Sequence, residues 1–173
     1  MRRGQVAVRV VGPLQWVVYP ALLAIALTIA LATPVELFGL KLPEPVLPMA
    51  LAFAWPLIRP SMLAPAVLFG LGLFLDIFWA GPLGLWALAL MGIYGVVLIS
   101  RSFLVGQETH VLFVWYGLGT VAAFILTYLI STLLAGNAPS VLSLLGQVLP
   151  TLLLFPIAGR MIERFDDGDV RFR

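Results

Sequence analysis

Cysteine is absent from this chain and histidine occurs once, at His110. Disulfides, thiolate metal sites and histidine-built metal clusters are therefore excluded. Charge is almost as scarce, at 10% of 173 residues, and Lys41 is the single lysine. The formal charge of +2 says nothing about nucleic acid, and none is expected as a partner; the few cations bear on orientation instead. Also missing are a glycine-rich phosphate loop, a Ser/His/Asp set and paired carboxylates for acid–base work. Enzyme is the least supported class, and no cofactor is expected.

What the chain has in quantity is apolar surface. Hydrophobic residues make up 62% of it and the mean hydropathy is +1.09, outside the range of soluble globular domains. The expectation is one polytopic all-α membrane domain over residues 1–173. Six candidate spans are legible: Leu14–Thr33, Val46–Ile58, Met62–Ala80, Leu83–Ser100, Val111–Leu134 and Val141–Gly159. With an even number of spans both termini share one side with the second and fourth connections. That side collects Arg2, Arg3, Arg9, Arg59, Arg101, Arg160, Arg164, Arg171 and Arg173, and the other side has only Lys41. The positive-inside rule then places both ends in the cytoplasm.

The first apolar segment could also serve as a secretory signal, with Ala30-Leu31-Ala32 as a cleavage look-alike. Its length of about 20 residues suits a span better. The second span is the weak one. It rises only about 20 Å at about 1.5 Å per residue, short of a core of about 30 Å. It carries Pro48 and Pro56, of which Pro56 is expected to bend or break the helix. Spans two and three read as a proline-shaped hairpin with Arg59 at its tip, and a re-entrant second segment is the other option. The tail 160–173 alternates charge and reads as a solvated cytoplasmic end; its arginines could touch anionic lipid, but the interspersed acids weaken that idea.

One acid breaks the longest apolar stretch. Asp76 is the lone ionisable residue between Leu63 and Trp86, and Gly81-Pro82-Leu83-Gly84 follows it. A carboxylate at mid-membrane depth costs about 2.5–3.5 kcal/mol on insertion scales, less toward the interface. A proton or cation relay would need a second titratable group at similar depth, and none is present. The favoured reading is structural: the carboxylate accepts hydrogen bonds from free backbone N–H groups at the start of span four, such as those of Leu83, Gly84 and Leu85. Gly81 and Gly84 would let the backbone approach.

Small residues form close-packing seams at Ala66 and Gly70, at Gly92 and Gly95, and at Gly119 and Ala123. Each can serve either a partner helix or the packing of the bundle itself. Glu108 and His110, two apart, do not share a helix face, and Thr109 beside them is a candidate N-cap. Trp16, Tyr19, Trp55, Trp79, Trp86, Trp115 and Tyr116 lie near span ends, where aromatic belts are expected. Thr120, Thr127, Tyr128, Ser131 and Thr132 could line a polar pocket or bond across helices.

The stretch from Pro45 to Tyr94 resembles the MreD family of the bacterial cell-elongation machinery. The likeness rests on Pro45 opening span two, Trp55 near its end, the Arg59-Pro60 turn, the Gly72-x-x-x-Asp76 pattern, Gly81-x-x-Gly84, and Tyr94 closing span four. It implies a non-enzymatic inner-membrane subunit that docks MreC, a single-span scaffold protein. Through MreC it would meet the polymerase RodA, a class B penicillin-binding protein and the actin-like MreB. The family also looks like the substrate-binding subunits of energy-coupling-factor vitamin transporters, which supplies the alternative function of a transporter subunit. Those subunits dock through an Ala-x-x-x-Ala patch on their first span, a spacing that Ala26 and Ala30 meet. The short outer loops Gly81-Pro82 and Ala135–Ser140 offer few side chains to close over a vitamin.

Overall fold

The computed structural model describes residues 9–12, 14–32, 36–37, 40–41, 44–135, 141–166 and 170–172. Arg2, Arg3, Arg173 and the loop 136–140 lie outside the described residues. Helices make up the packed body: α1 (Tyr19–Leu31), entered through a π-helical turn at Leu14–Val18, α2 (Leu47–Ile58), α3 (Leu63–Phe78), α4 (Leu85–Ile99), the short α5 (Arg101–Leu104), α6 (Thr109–Ala135), α7 (Val141–Leu152) and α8 (Phe155–Asp166). Four short strands, not anticipated from the sequence, lie outside this body. β1 (Arg9–Val11) pairs in parallel with β4 (Val170–Phe172), and β2 (Glu36–Leu37) pairs antiparallel with β3 (Leu40–Lys41). Two stretches, Thr109–Leu133 and Leu144–Phe165, are helical, long and apolar enough to cross a membrane; four shorter apolar helices accompany them.

The helix that looked weakest in sequence is the centre of the molecule. Every residue of α2 from Leu47 to Leu57 is buried. Helices α1, α3, α4 and α8 pack against it, and Phe53 meets Tyr116 of α6 edge to face at 5.4 Å. A helix apolar on all sides belongs in the middle of a bundle. Pro56 does not break it; the helix runs two residues further, to Ile58, and closes with the Arg59 N–H donating to the Trp55 carbonyl. Pro48 falls in the first turn, where a missing N–H costs nothing. The neighbouring Val46 N–H donates to Thr151 Oγ1 of α7 at 3.0 Å. Shortness is tolerated here because the ends of α2 meet protein groups.

The sixth candidate span, Val141–Gly159, divides at Leu153–Leu154, between α7 and α8. Pro156 cannot donate to the Leu152 carbonyl one turn before it, so the ladder opens there, whereas Pro150 is accommodated inside α7. The Leu154 N–H and the Tyr116 hydroxyl both donate to the Thr151 carbonyl, at 3.1 and 2.8 Å, which satisfies the acceptor released by the break. The helix then continues past Gly159 to Asp166, so residues 160–166, expected as a solvated tail, are helical.

The aromatic-belt expectation needs correction. Trp16, Trp55, Trp86 and Tyr116 are buried, and Trp55 is fully so. Its indole N–H donates to the Trp16 carbonyl at 3.0 Å, tying α2 to the start of α1. Near a span end, an inward-facing indole that finds a carbonyl is a core residue. Tyr19 is exposed, and Trp79 and Trp115 are partly buried.

Candidate functional site: the Asp76 corner and the open α3–α4 face

Helix α3 ends and α4 begins around a single side chain. Asp76 is fully buried and accepts from two backbone donors of the next helix, the Gly84 N–H at 2.8 Å (Oδ2) and the Trp86 N–H at 2.9 Å (Oδ1). The sequence had suggested Leu83, Gly84 and Leu85 as donors; Gly84 is one of the pair and Trp86 the other. Gly84 is the N-cap of α4 and has no side chain with which to satisfy the first-turn donors. Asp76 supplies that oxygen from the preceding helix, at the positive end of the α4 dipole. Gly84 has φ +91°, a conformation that glycine adopts without cost.

The same residue also closes its own helix. The Asp76 carbonyl accepts the Gly81 N–H at 2.8 Å, and the Ile77 carbonyl accepts the Ala80 N–H at 3.2 Å, the paired bonds of a Schellman end. Such an end needs a left-handed residue, and here it is Ala80 at φ +50°. Ala80→Gly should therefore stabilise the protein by about 0.5–1 kcal/mol, read as a higher midpoint of thermal unfolding. An unchanged or lower midpoint would show that the alanine is not strained.

Gly72, one turn before Asp76, is what brings the helices into range. A Cβ built there would overlap the backbone of Ala87 and lie 2.8 Å from the Trp86 carbonyl carbon. The two backbones touch at this point, and that contact puts the Trp86 N–H within reach of the carboxylate. Above the corner, Trp86 meets Trp79 at 5.6 Å and Phe124 of α6 at 5.3 Å. The Trp79 indole N–H donates to Glu44, ahead of α2, at 3.0 Å. On the other side of the pair, the Tyr94 hydroxyl donates to the Ser61 carbonyl at 3.2 Å. Of the other motif residues, Pro45 accepts the Leu47 N–H through its carbonyl, and Arg59 and Pro60 are exposed in the α2–α3 turn.

The small-residue seams divide into two kinds. Gly119 faces Ile93 of α4, its virtual Cβ 3.5 Å from Cδ1, and Ala123 is buried: this seam joins α6 to α4 internally. Ala66, Gly70 and Gly92 are exposed and Gly95 is half-exposed, with nothing within 4 Å of a Cβ at any of these glycines. On α3, Ala66 and Gly70 share the exposed side with Phe69 and Ile77; on α4, Gly92 and Gly95 share it with Leu88 and Val96. Ala26 and Ala30 likewise lie on the exposed side of α1, whose buried side is Ala21, Ala24 and Thr28.

Three smaller expectations resolve here. Glu108 and His110 do meet, at 3.2 Å, because Glu108 precedes the helix and is not held to helical spacing; both are exposed. The Glu108 carbonyl accepts the Val111 and Leu112 N–H groups, so Glu108, not Thr109, stands at the cap position of α6. Thr127 and Thr132 donate to carbonyls of their own helix, at Phe124 and Tyr128. No group of three or more metal-ligating side chains occurs among the described residues.

Sequence reasoning did not find the Gly72–Ala87 contact, the Trp79–Glu44 bond or the Thr151 bridge to α2. Only the last had a visible signal, a threonine next to one proline and five residues before another in an otherwise apolar segment. Comparison with protein-family models, with curated proteins and with solved structures finds no match to this chain.

Proposed function

We propose that this chain is a six-span scaffold of the bacterial inner membrane, of the MreD type, that docks a single-span MreC-like partner and catalyses nothing itself. The outward surface supports the membrane setting. Leu22, Leu23, Ile77, Leu88, Leu118, Leu133 and Leu153 are all more than half exposed, a surface that water would not tolerate and lipid would. The β1–β4 pairing holds both described chain ends together, which favours an even number of crossings. One cavity is lined jointly by Leu57, Leu104, Gln107 and Glu163, so the end of α2, α5, the start of α6 and α8 gather at a common end. Arg59, Arg101, Arg160 and Arg164 belong to that end, in keeping with a cytoplasmic assignment.

The observation that carries the scaffold reading is the Asp76 corner. Both carboxylate oxygens accept from backbone donors and the side chain is fully buried, which supports a structural role over a solute site or a proton path. A staple that stiffens α3 against α4 makes a platform, and Ala66 and Gly70 on α3 and Gly92 and Gly95 on α4 lie on the outward sides of those two helices. Small residues let a partner backbone come close, the condition for helix association in lipid. RodA, the class B penicillin-binding protein and MreB would be reached through that partner.

Gly70→Leu and Gly92→Leu should therefore abolish co-purification of the single-span partner without lowering the thermal midpoint of the protein. In vivo photo-crosslinking from Gly70 and Gly92 should capture the partner, and crosslinking from Leu22 on α1 should not. Deletion should round the cells. A deletion strain that stays rod-shaped and loses vitamin uptake would replace this reading with the transporter subunit.

A further inference from the structure

A second feature lies at the arginine-rich end, between the first and last helices. A groove of about 380 Å³ is lined by Gln15, Tyr19 and Pro20 from the start of α1 and by Met161, Arg164 and Phe165 from the end of α8. The described strand that precedes the first wall, β1, pairs with the one that follows the second, β4. Gln15 belongs to the π-helical turn Leu14–Val18, an irregularity that recurs at functional sites in other helices.

The lining divides chemically into two. Pro20, Met161 and Phe165 are apolar; Gln15, Tyr19 and Arg164 carry hydrogen-bond donors, and among the described residues no carboxylate lines the groove. The acidic neighbour Glu163 lines the other cavity, against α5 and the start of α6, so the two adjacent charges of α8 serve separate cavities. No ion pair to Arg164 occurs among the described residues.

We propose that this groove binds one anionic phospholipid of the inner leaflet, its phosphate held by Arg164 with Gln15 and Tyr19, and its upper acyl chain lying on Pro20, Met161 and Phe165. The charge and the apolar floor together select the occupant. A free phosphate would use the cation and leave the floor bare, and a zwitterionic lipid would bring a second cation against Arg164. The bound lipid would join the first and last helices. The proposal rests on the membrane-spanning reading and is independent of any protein partner.

The test is native mass spectrometry of the full chain, extracted from membranes in mild detergent and given phosphatidylglycerol or phosphatidylcholine of identical acyl chains. The wild-type chain should retain phosphatidylglycerol about fivefold better, the preference of one arginine at an anionic surface. Arg164→Gln should erase that preference, and Arg164→Lys should keep most of it. Arg160→Gln, which removes an exposed charge one turn away and outside the groove, should leave it intact. Equal retention of the two lipids by the wild-type chain, inorganic phosphate displacing the lipid, or equal losses from Arg160→Gln and Arg164→Gln would overturn the site. A chain recovered in the soluble fraction would overturn the membrane reading and the lipid site together; a chain recovered from membranes without lipid preference overturns the lipid site alone.

Discussion

Asp76→Leu is expected to leave a protein that cannot hold its third and fourth helices together. The leucine fills the space but strands the N–H groups of Gly84 and Trp86, both now without an acceptor. A buried donor left unmet costs about 1–3 kcal/mol; the Trp86 N–H bears that cost in full and the part-buried Gly84 N–H adds less, so the loss is a large share of the stability of any domain. Asp76→Asn keeps one acceptor oxygen and turns an amide NH₂ toward the other donor, so it should lie between the wild type and the leucine variant. The measurement is the thermal midpoint in detergent, followed by the fraction eluting as a single species. The leucine variant should aggregate or be degraded and the asparagine variant should survive weakened. Identical midpoints for all three proteins would mean that the corner does not depend on this side chain, and the platform idea would go with it.

Gly72→Ala should do comparable damage with a single methyl group. The new carbon would sit inside the backbone of Ala87, and because that obstacle is backbone no rotamer change can clear it. The helices must separate, which costs about 1–3 kcal/mol for overpacking and more if the Asp76 bonds are lost as well. Gly70→Ala, two residues away on the same helix, meets nothing and should be neutral or stabilising by up to about 1 kcal/mol through helix propensity. The contrast separates close approach from propensity. Gly72→Ala and Asp76→Asn act on one corner, so their combination should cost less than the sum of the two. Strict additivity would show that the glycine and the aspartate serve unrelated purposes.

How much of this was legible in the chain differs from element to element. The helices could be read because the apolar runs have the right lengths and the glycines and prolines mark their ends. Asp76 could be read because a lone carboxylate in such a run has to be satisfied. Its two donors could be placed only to within a residue or two, since the turn geometry depends on Ala80 and Gly84 adopting left-handed backbone. The second helix was misjudged for a definite reason: length against a bilayer is the relevant measure only for a helix that faces lipid, and α2 faces protein on every side. The aromatic residues were misjudged similarly, because position along a span says nothing about direction around it.

Sequence alone therefore determined the helical character of this protein, the approximate ends of its helices and the need to satisfy one buried acid. Tertiary structure alone decided which side of each helix is inside. It set Gly72 and Ala123 within the body and Gly70 and Gly92 on its surface, and it made the short, proline-bearing α2 the core. In a soluble protein the polar stripe of each helix would have revealed its orientation beforehand. In α1, α4 and α6 the faces are almost equally apolar, so periodicity carries little such signal, and the packing of one helix on another distinguishes them; the amphipathic α8 is an exception.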